Sequence, residues 1–280
     1  MSLLADLADV LQRAPGWARA SASLQAGEDF TLATPPSVRP LLVACRFRAQ
    51  PRAVLVAVPG EDAAMRFARQ LTAYLPLSDV LPLPAPSRLP WSRESRDVAI
   101  AGRRTRAFHA LEEGRPVVVV ASARGLMGLL PPRGASDAFD PLVIDAGADL
   151  ELEKAADLLA RMGYERVDQA EEPGQFAVRG GTLDVYPSDG HFPVRAELYG
   201  DAVESLRRYV PSTGQSVGDI ARIEAYPCRE VRLSHRSAKD VEFAYRSGFR
   251  DLQRRALEDP WLARELEMLQ QGMYFDGVEA

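Results

Sequence analysis

The apolar positions of this chain follow two different periods. Residues 52–59, RAVLVAVP, and 115–122, RPVVVVAS, are continuous valine-rich runs. That is the pattern of strands covered on both faces of a parallel sheet. Between them, EDAAMRFARQLTAYL puts Ala64, Phe67, Ala68 and Leu71 on one helical stripe, and DVLPLPA reads as a second short strand. Nearer the start, LADLADVLQR has helical spacing, Pro35 and Pro36 break the chain, and RPLLVACRFRA carries a second apolar stripe. After the third strand, ARGLMGLL is helix-like and stops at Pro131 and Pro132. Strand, helix, strand, helix predicts a Rossmann-like or P-loop-like parallel sheet.

The period then changes. DPLVID, ending at Asp145, is a strand leading out of the first region. A helix is predicted from Leu150 to Met162, with Leu152, Ala155, Ala156, Leu159 and Met162 on its apolar face. From Glu172 to Tyr209 the alternation has period two and is punctuated by Gly, Pro and Asp clusters. This predicts a meander of short antiparallel strands with one face wet. Residues 220–233 form a returning strand, and two helices rich in Arg and Glu follow at 239–257 and 260–271. The expected organisation is a parallel α/β domain at 1–147, an inserted, small, antiparallel β-rich α+β domain at 148–226, and a return segment at 227–280.

Composition narrows the chemistry. The chain has 280 residues, 46% hydrophobic and 26% charged, enough for one large or two modest domains. It contains no apolar run of about 18 residues, so no membrane span is expected. Cys45 and Cys228 lack metal spacing and read as free thiols of a reducing cytoplasm. The scattered His109, His191 and His235 add no metal site. A net charge of −5 counts against general nucleic-acid binding, although the arginines at 103, 104 and 106 form a local basic cluster, expected to be exposed.

A nucleotide site is expected to be absent. A phosphate loop needs glycines that let backbone amides wrap phosphate, and a lysine that reaches the outer phosphates. The turn after the first strand reads VPGEDAAMRF, with Glu61 and Asp62 where an anion would lie. Both lysines, Lys154 and Lys239, lie in other contexts. The parallel domain is therefore read as P-loop-like but degenerate, without a cofactor. Asp145 is read as ending its strand and capping a turn.

On the wet face of the meander, Arg179, Asp184, Arg195, Glu197 and Glu204 are expected beside exposed Tyr186 and Tyr199. Such a mixture fits a protein-binding hot spot, and it equally fits a solvated sheet face. The order of motifs bears on that choice. GYERVDQ (163–169), GQFAVRGGTLDVYP (174–187), ELYGDAVESLRRY (197–209) and STGQS (212–216) follow one another. Together they resemble the UvrA-binding domain shared by UvrB and the bacterial transcription-repair coupling factor family (Mfd), in its N-terminal UvrB-like region. A degenerate phosphate loop resembles the coupling factors, since UvrB keeps a working one.

The resemblance implies UvrA as partner. It maps Arg166, Arg179 and Tyr186 onto interface positions of the family, with Glu197 as an acidic neighbour. A further UvrB arginine corresponds to Ala177 here. Ordinary surface pairing of Arg166 and edge packing of Tyr186 are the plainer readings of those residues. In the full-length family this face is covered by a C-terminal region until the motor engages DNA, and other domains bind RNA polymerase and double-stranded DNA. The last residues, GMYFDGVEA, resemble the start of a longer family motif, which implies a fragment of a longer chain. Trp91 is read as packing under a loop. An ATP-dependent helicase lobe and a DNA-binding module are the competing functions.

Overall fold

The computed structural model describes residues 10–11, 13–86, 97–127, 139–230 and 260–270. Trp91, His235, the predicted 239–257 helix, most of LADLADVLQR and the GMYFDGVEA end lie outside them. The fold is mixed α/β with one parallel sheet and antiparallel sheets. The chain divides into two compact units, Met1–Ala85 with Ala107–Leu129, and Pro86–Arg106 with Leu130–Ala280.

The first unit holds helices α1 (Pro15–Ala26), α2 (Arg39–Ala49) and α3 (Glu61–Leu71). Its parallel sheet consists of β1 (Val54–Val58), β2 (Val80–Leu83) and β3 (Val118–Ser122), in the order β1-β3-β2. Helix α4 (Val98–Glu112) begins in the second unit and ends in the first, and a single turn, α5 (Ala123–Leu126), follows β3. Strand β3 is central and all five of its residues are buried, as a continuous apolar run predicts. The stripe of α3 enters the core as expected, where Ala64, Ala68 and Leu71 meet Ala44, Phe47, Val118 and Val120.

Strand β1 departs from the expectation. Among the described residues it has β3 on one side only, and Leu55 is 57% exposed on the face that Val119 and Ala121 share. A valine-rich run does not distinguish an edge strand from a central one. Among the described residues β2 is the other edge, and there Pro82 costs no ladder hydrogen bond to a further strand.

In the second unit, β4 (Leu142–Asp145) pairs antiparallel with β11 (Arg222–Ala225). Asp145 lies opposite Arg222, so the excursion between them starts and ends at one place. Helix α6 (Leu152–Arg161) lays Ala155, Ala156 and Leu159, with Met162 just beyond, against one face of a six-stranded sheet. The meander is β6 (Gln175–Arg179), β7 (Thr182–Val185), β8 (Val194–Tyr199) and β9 (Ala202–Tyr209), all antiparallel neighbours. Two short edge strands complete it, β5 (Glu165–Arg166), parallel to β6, and β10 (Ser216–Asp219), antiparallel to β9. The apolar residues that alternate along these strands, among them Phe176, Leu183, Val185, Val194, Ala196 and Leu206, fill the core under α6. Helix α7 (Pro260–Gln270) matches the last predicted helix.

The loop between β7 and β8 is pinned at its base. Tyr164 Oη accepts from the Ser188 amide at 3.0 Å and donates to the Tyr226 carbonyl at 2.8 Å. Burial pushes the Tyr164 hydroxyl well above its ordinary pKa, so it stays protonated and able to donate. Gly102 of α4 packs so close to this loop that a Cβ there would come within 2.6 Å of Ser188 Cβ.

Candidate partner-binding face

Period-two geometry decides which side chains share the outer face of the six-stranded sheet. On β8, Arg195, Glu197 and Tyr199 point one way, while Val194, Ala196 and Leu198 point into the core. Register extends the outer row. Asp184 lies opposite Arg195, Thr182 opposite Glu197, and Arg179 opposite Thr182. Arg179, Asp184, Arg195, Glu197 and Tyr199 therefore belong to one face.

That face has a closed end and an open end. At the closed end Arg195 donates two hydrogen bonds of 2.7 Å to the Asp184 carboxylate, from Nε and from one terminal nitrogen. The guanidinium also stacks on Tyr209, 5.1 Å from the ring centre. The bond to Asp184 raises the Arg195 pKa, and burial, then the Asp184 charge, raises that of Tyr209. Tyr209 Oη donates to the Ala170 carbonyl, and the Gln169 amide donates to the Pro211 carbonyl. The 169–170 stretch is thus tied across this end. Toward the open end, Arg179, level with Glu197, and Tyr199, the last residue of β8, are exposed, and the Arg179 charge still reaches Tyr209, where it opposes the rise in pKa.

A family model described as the UvrB interaction domain matches residues 142–230. The chain is 32% identical over 245 residues to the transcription-repair-coupling factor of Myxococcus xanthus, covering 85% of this chain and 20% of that protein. It is 30% identical over 263 residues to the coupling factor of Mycobacterium tuberculosis, covering 90% and 21%. This chain is a relative of the transcription-repair-coupling factors, with a UvrB interaction domain at residues 142–230. It also resembles UvrABC system protein B of Oleidesulfovibrio alaskensis, 29% identical over 185 residues, covering 62% of this chain and 27% of that one. The chain spans about a fifth of the length of these coupling factors.

Within the UvrB interaction domain the four expected contact residues separate. Arg179 ends β6 on the outer face, exposed, and makes no ion pair among the described residues. Glu197 shares its face but is already engaged, accepting from Ser205 Oγ at 2.9 Å and from Arg207. Arg166 is exposed on the edge strand β5, in register with Phe176 and so in the row opposite to Arg179.

Tyr186 was expected to be exposed, and the structure corrects this. Its side chain is 9% exposed and its hydroxyl donates to the His191 carbonyl at 3.1 Å. Burial raises its pKa. The residue closes a loop rather than offering a ring. Asp184 is likewise buried, at 5%, and hydrogen-bonded to Arg195. Ala177 is buried directly across from Asp184, a carboxylate already satisfied from the other side by Arg195.

The arginines of α4 are a further correction. Arg104 is 3% exposed and pairs with Glu230, with Nε 2.6 Å from the carboxylate. Arg106 pairs with Asp189 at 2.9 Å and stacks on Tyr226. Two of the three basic groups offered to DNA are thus committed internally. Asp145 does end β4, but its backbone carbonyl, not its carboxylate, accepts in the following turn, and the carboxylate faces Arg222 at 3.4 Å.

At the end of the parallel sheet, Gly60 precedes α3 and the Glu61 carboxylate turns inward. It accepts from the Ala85 amide at 3.1 Å and from Ser122 Oγ. Beyond repelling an anion, as its sequence position suggests, this carboxylate is held by the C-terminal ends of β2 and β3. Among the described residues no cluster of three His, Cys, Asp or Glu is placed to hold a metal, and no helix is long and apolar enough to cross a membrane.

Proposed function

We propose that this chain is a UvrA-recruiting module of transcription-coupled nucleotide excision repair, docking through the outer face of its UvrB interaction domain. The observation that carries the reading is the coincidence of the matched segment, 142–230, with an open sheet end where Arg179 is exposed and uncommitted. Arginine presents a rigid fork of donors that suits a carboxylate on a partner. Arg166, on the β5 edge in the opposite row, is a second contact at the rim, and Glu197 holds Arg207 on the outer face. The domain spanning 148–226 is proposed as an insertion into the parallel domain, which serves as its scaffold.

The same proposal gives the parallel domain no ATPase activity. Its first turn is read as a degenerate phosphate loop in which the Glu61 carboxylate takes the donors that would face a bound anion. Contacts with RNA polymerase and double-stranded DNA are assigned to parts of the longer relatives that this chain does not match. A cytoplasmic location follows from that role.

Calorimetric titration of the chain with UvrA tests the reading. Wild type binds, and Arg179→Ala weakens binding by at least about 1 kcal/mol. Absence of wild-type binding overturns the recruiting role. Separately, titration with magnesium ATP shows no binding tighter than about 1 mM, and tighter binding overturns the degenerate-loop reading.

A further inference from the structure

The open end of the face carries one large side chain that the family motif did not single out. Tyr199 is 79% exposed, against 42% for Phe30 and 38% for Phe192. Its hydroxyl has no hydrogen-bond partner among the described residues. An aromatic ring left in water on one face of a sheet costs free energy that burial against a partner recovers.

Its surroundings are rigid. Tyr199 is the last residue of β8, and the two-residue turn Gly200–Asp201 returns the chain to Ala202. Gly200 has φ 61°, a left-handed conformation suited to the first position of such a turn. The turn is fastened from outside by the Leu150 amide, which donates to the Asp201 carbonyl at 2.7 Å, and by a bridge between Asp149 and Ala202. A tyrosine held on fixed backbone loses little entropy on binding, which is why tyrosine recurs at binding hot spots.

The β6–β7 turn lies against this one. The Leu198 amide donates to the Gly181 carbonyl at 2.8 Å, and a Cβ on Gly181 would come within 2.9 Å of the Leu198 carbonyl oxygen. Arg179 therefore leaves β6 two residues from the point where the hairpins touch, and Tyr199 leaves β8 one residue from it. Both belong to the same outer face. Tyr186, at the other end of β7, is turned inward onto the His191 carbonyl.

We infer that Tyr199, rather than Tyr186, is the aromatic anchor of the UvrA-docking face, acting as a pair with Arg179. The inference rests on the recruiting role proposed above and deepens it. The complementary patch on UvrA is a carboxylate for Arg179 beside an apolar recess that takes the Tyr199 ring.

Calorimetry with UvrA on wild type, Tyr199→Ala, Tyr199→Phe, Arg179→Ala and the Tyr199/Arg179 double variant tests this, with thermal melts as a check on folding. Tyr199→Ala weakens binding at least about tenfold with an unchanged melt, while Tyr199→Phe stays within about threefold of wild type. The double variant loses less than the product of the single losses, the mark of groups that act together. If Arg179→Ala weakens binding and Tyr199→Ala stays within about twofold of wild type, the anchor assignment falls and the recruiting role stands. Equal losses in Tyr199→Phe and Tyr199→Ala overturn burial of the ring. No binding by wild type removes the recruiting role, and this inference with it.

Discussion

Replacement of Arg195 by alanine isolates what supports the docking face. Asp184 is 5% exposed and takes both of its short hydrogen bonds from Arg195. Its neighbour on the other strand is Ala177, which supplies no charge. Without Arg195 the carboxylate loses both of those hydrogen bonds and its counter-charge, keeping only the Tyr209 hydroxyl beside it. Breaking a fully buried pair costs about 3–5 kcal/mol. The Arg195 side chain is 33% exposed, so water screens part of the attraction, and the lower end, about 3 kcal/mol, applies. Loss of the stack on Tyr209 adds about 0.5–1 kcal/mol.

A total near 3–4 kcal/mol is a large share of the roughly 5–15 kcal/mol that holds a domain folded. Urea unfolding followed by far-ultraviolet circular dichroism reads it directly. With a slope of about 1–3 kcal/mol/M, the midpoint falls by at least about 1 M. Adding Asp184→Asn to Arg195→Ala removes the stranded charge and restores much of the loss, because an amide costs far less to bury than a carboxylate. A loss below about 1 kcal/mol, or a double variant no more stable than the single one, refutes the view that this pair is the buried support of the face.

Other outcomes follow from the same geometry. Gly181→Ala destabilises by about 1–3 kcal/mol in thermal melts, since its new Cβ meets the Leu198 carbonyl oxygen at 2.9 Å and backbone must move. Glu61→Ala costs about 1–3 kcal/mol by the same measurement, because the Ala85 amide loses its acceptor and Ser122 its own. Stability declines in alkali. Burial keeps Tyr164, Tyr186 and Tyr209 protonated above the pH, about 10, at which unfolded tyrosines ionise. Unfolding then releases protons, so the loss begins near pH 10 and steepens toward about 1.4 kcal/mol per pH unit for each such tyrosine. Cys45, also raised by burial, contributes with the same sign from about pH 9, and urea midpoints between pH 8 and 11 measure the sum.

Helices α3 and α6 and the meander were legible because their signals are local, whereas α1 (Pro15–Ala26) was not expected. The α3 and α6 stripes and the β6–β9 alternation each need only a dozen neighbouring residues to read, and all enter the core as expected. What escaped depends on distant pairing. Whether β1 is central or an edge follows from the order β1-β3-β2, which valine content does not encode. Strands β5 and β10, of two and four residues, are too short for alternation to register. Arg104 is polar in any local window, and its burial is set by Glu230, 126 positions away. Tyr186 and Tyr199 are indistinguishable by period, for both fall on the outer row. Only the return of residues 169–170 across one end, through Tyr209 and Gln169, separates a closed end from an open one.

That separation also explains how one sheet face serves both folding and recognition. Asp184, Arg195, Tyr209, Glu197 and Arg207 satisfy one another, so their charges are already screened from a partner. A committed ion pair offers little affinity, because a partner must first break it or leave it partly desolvated. It does fix the strands that carry Arg179 and Tyr199, and so lowers the ordering cost when those two engage. The internal pairs and the exposed groups thus have opposite mutational signatures. Loss of Arg195 lowers stability throughout the domain, whereas loss of Arg179 or Tyr199 leaves the melt in place and appears only in binding.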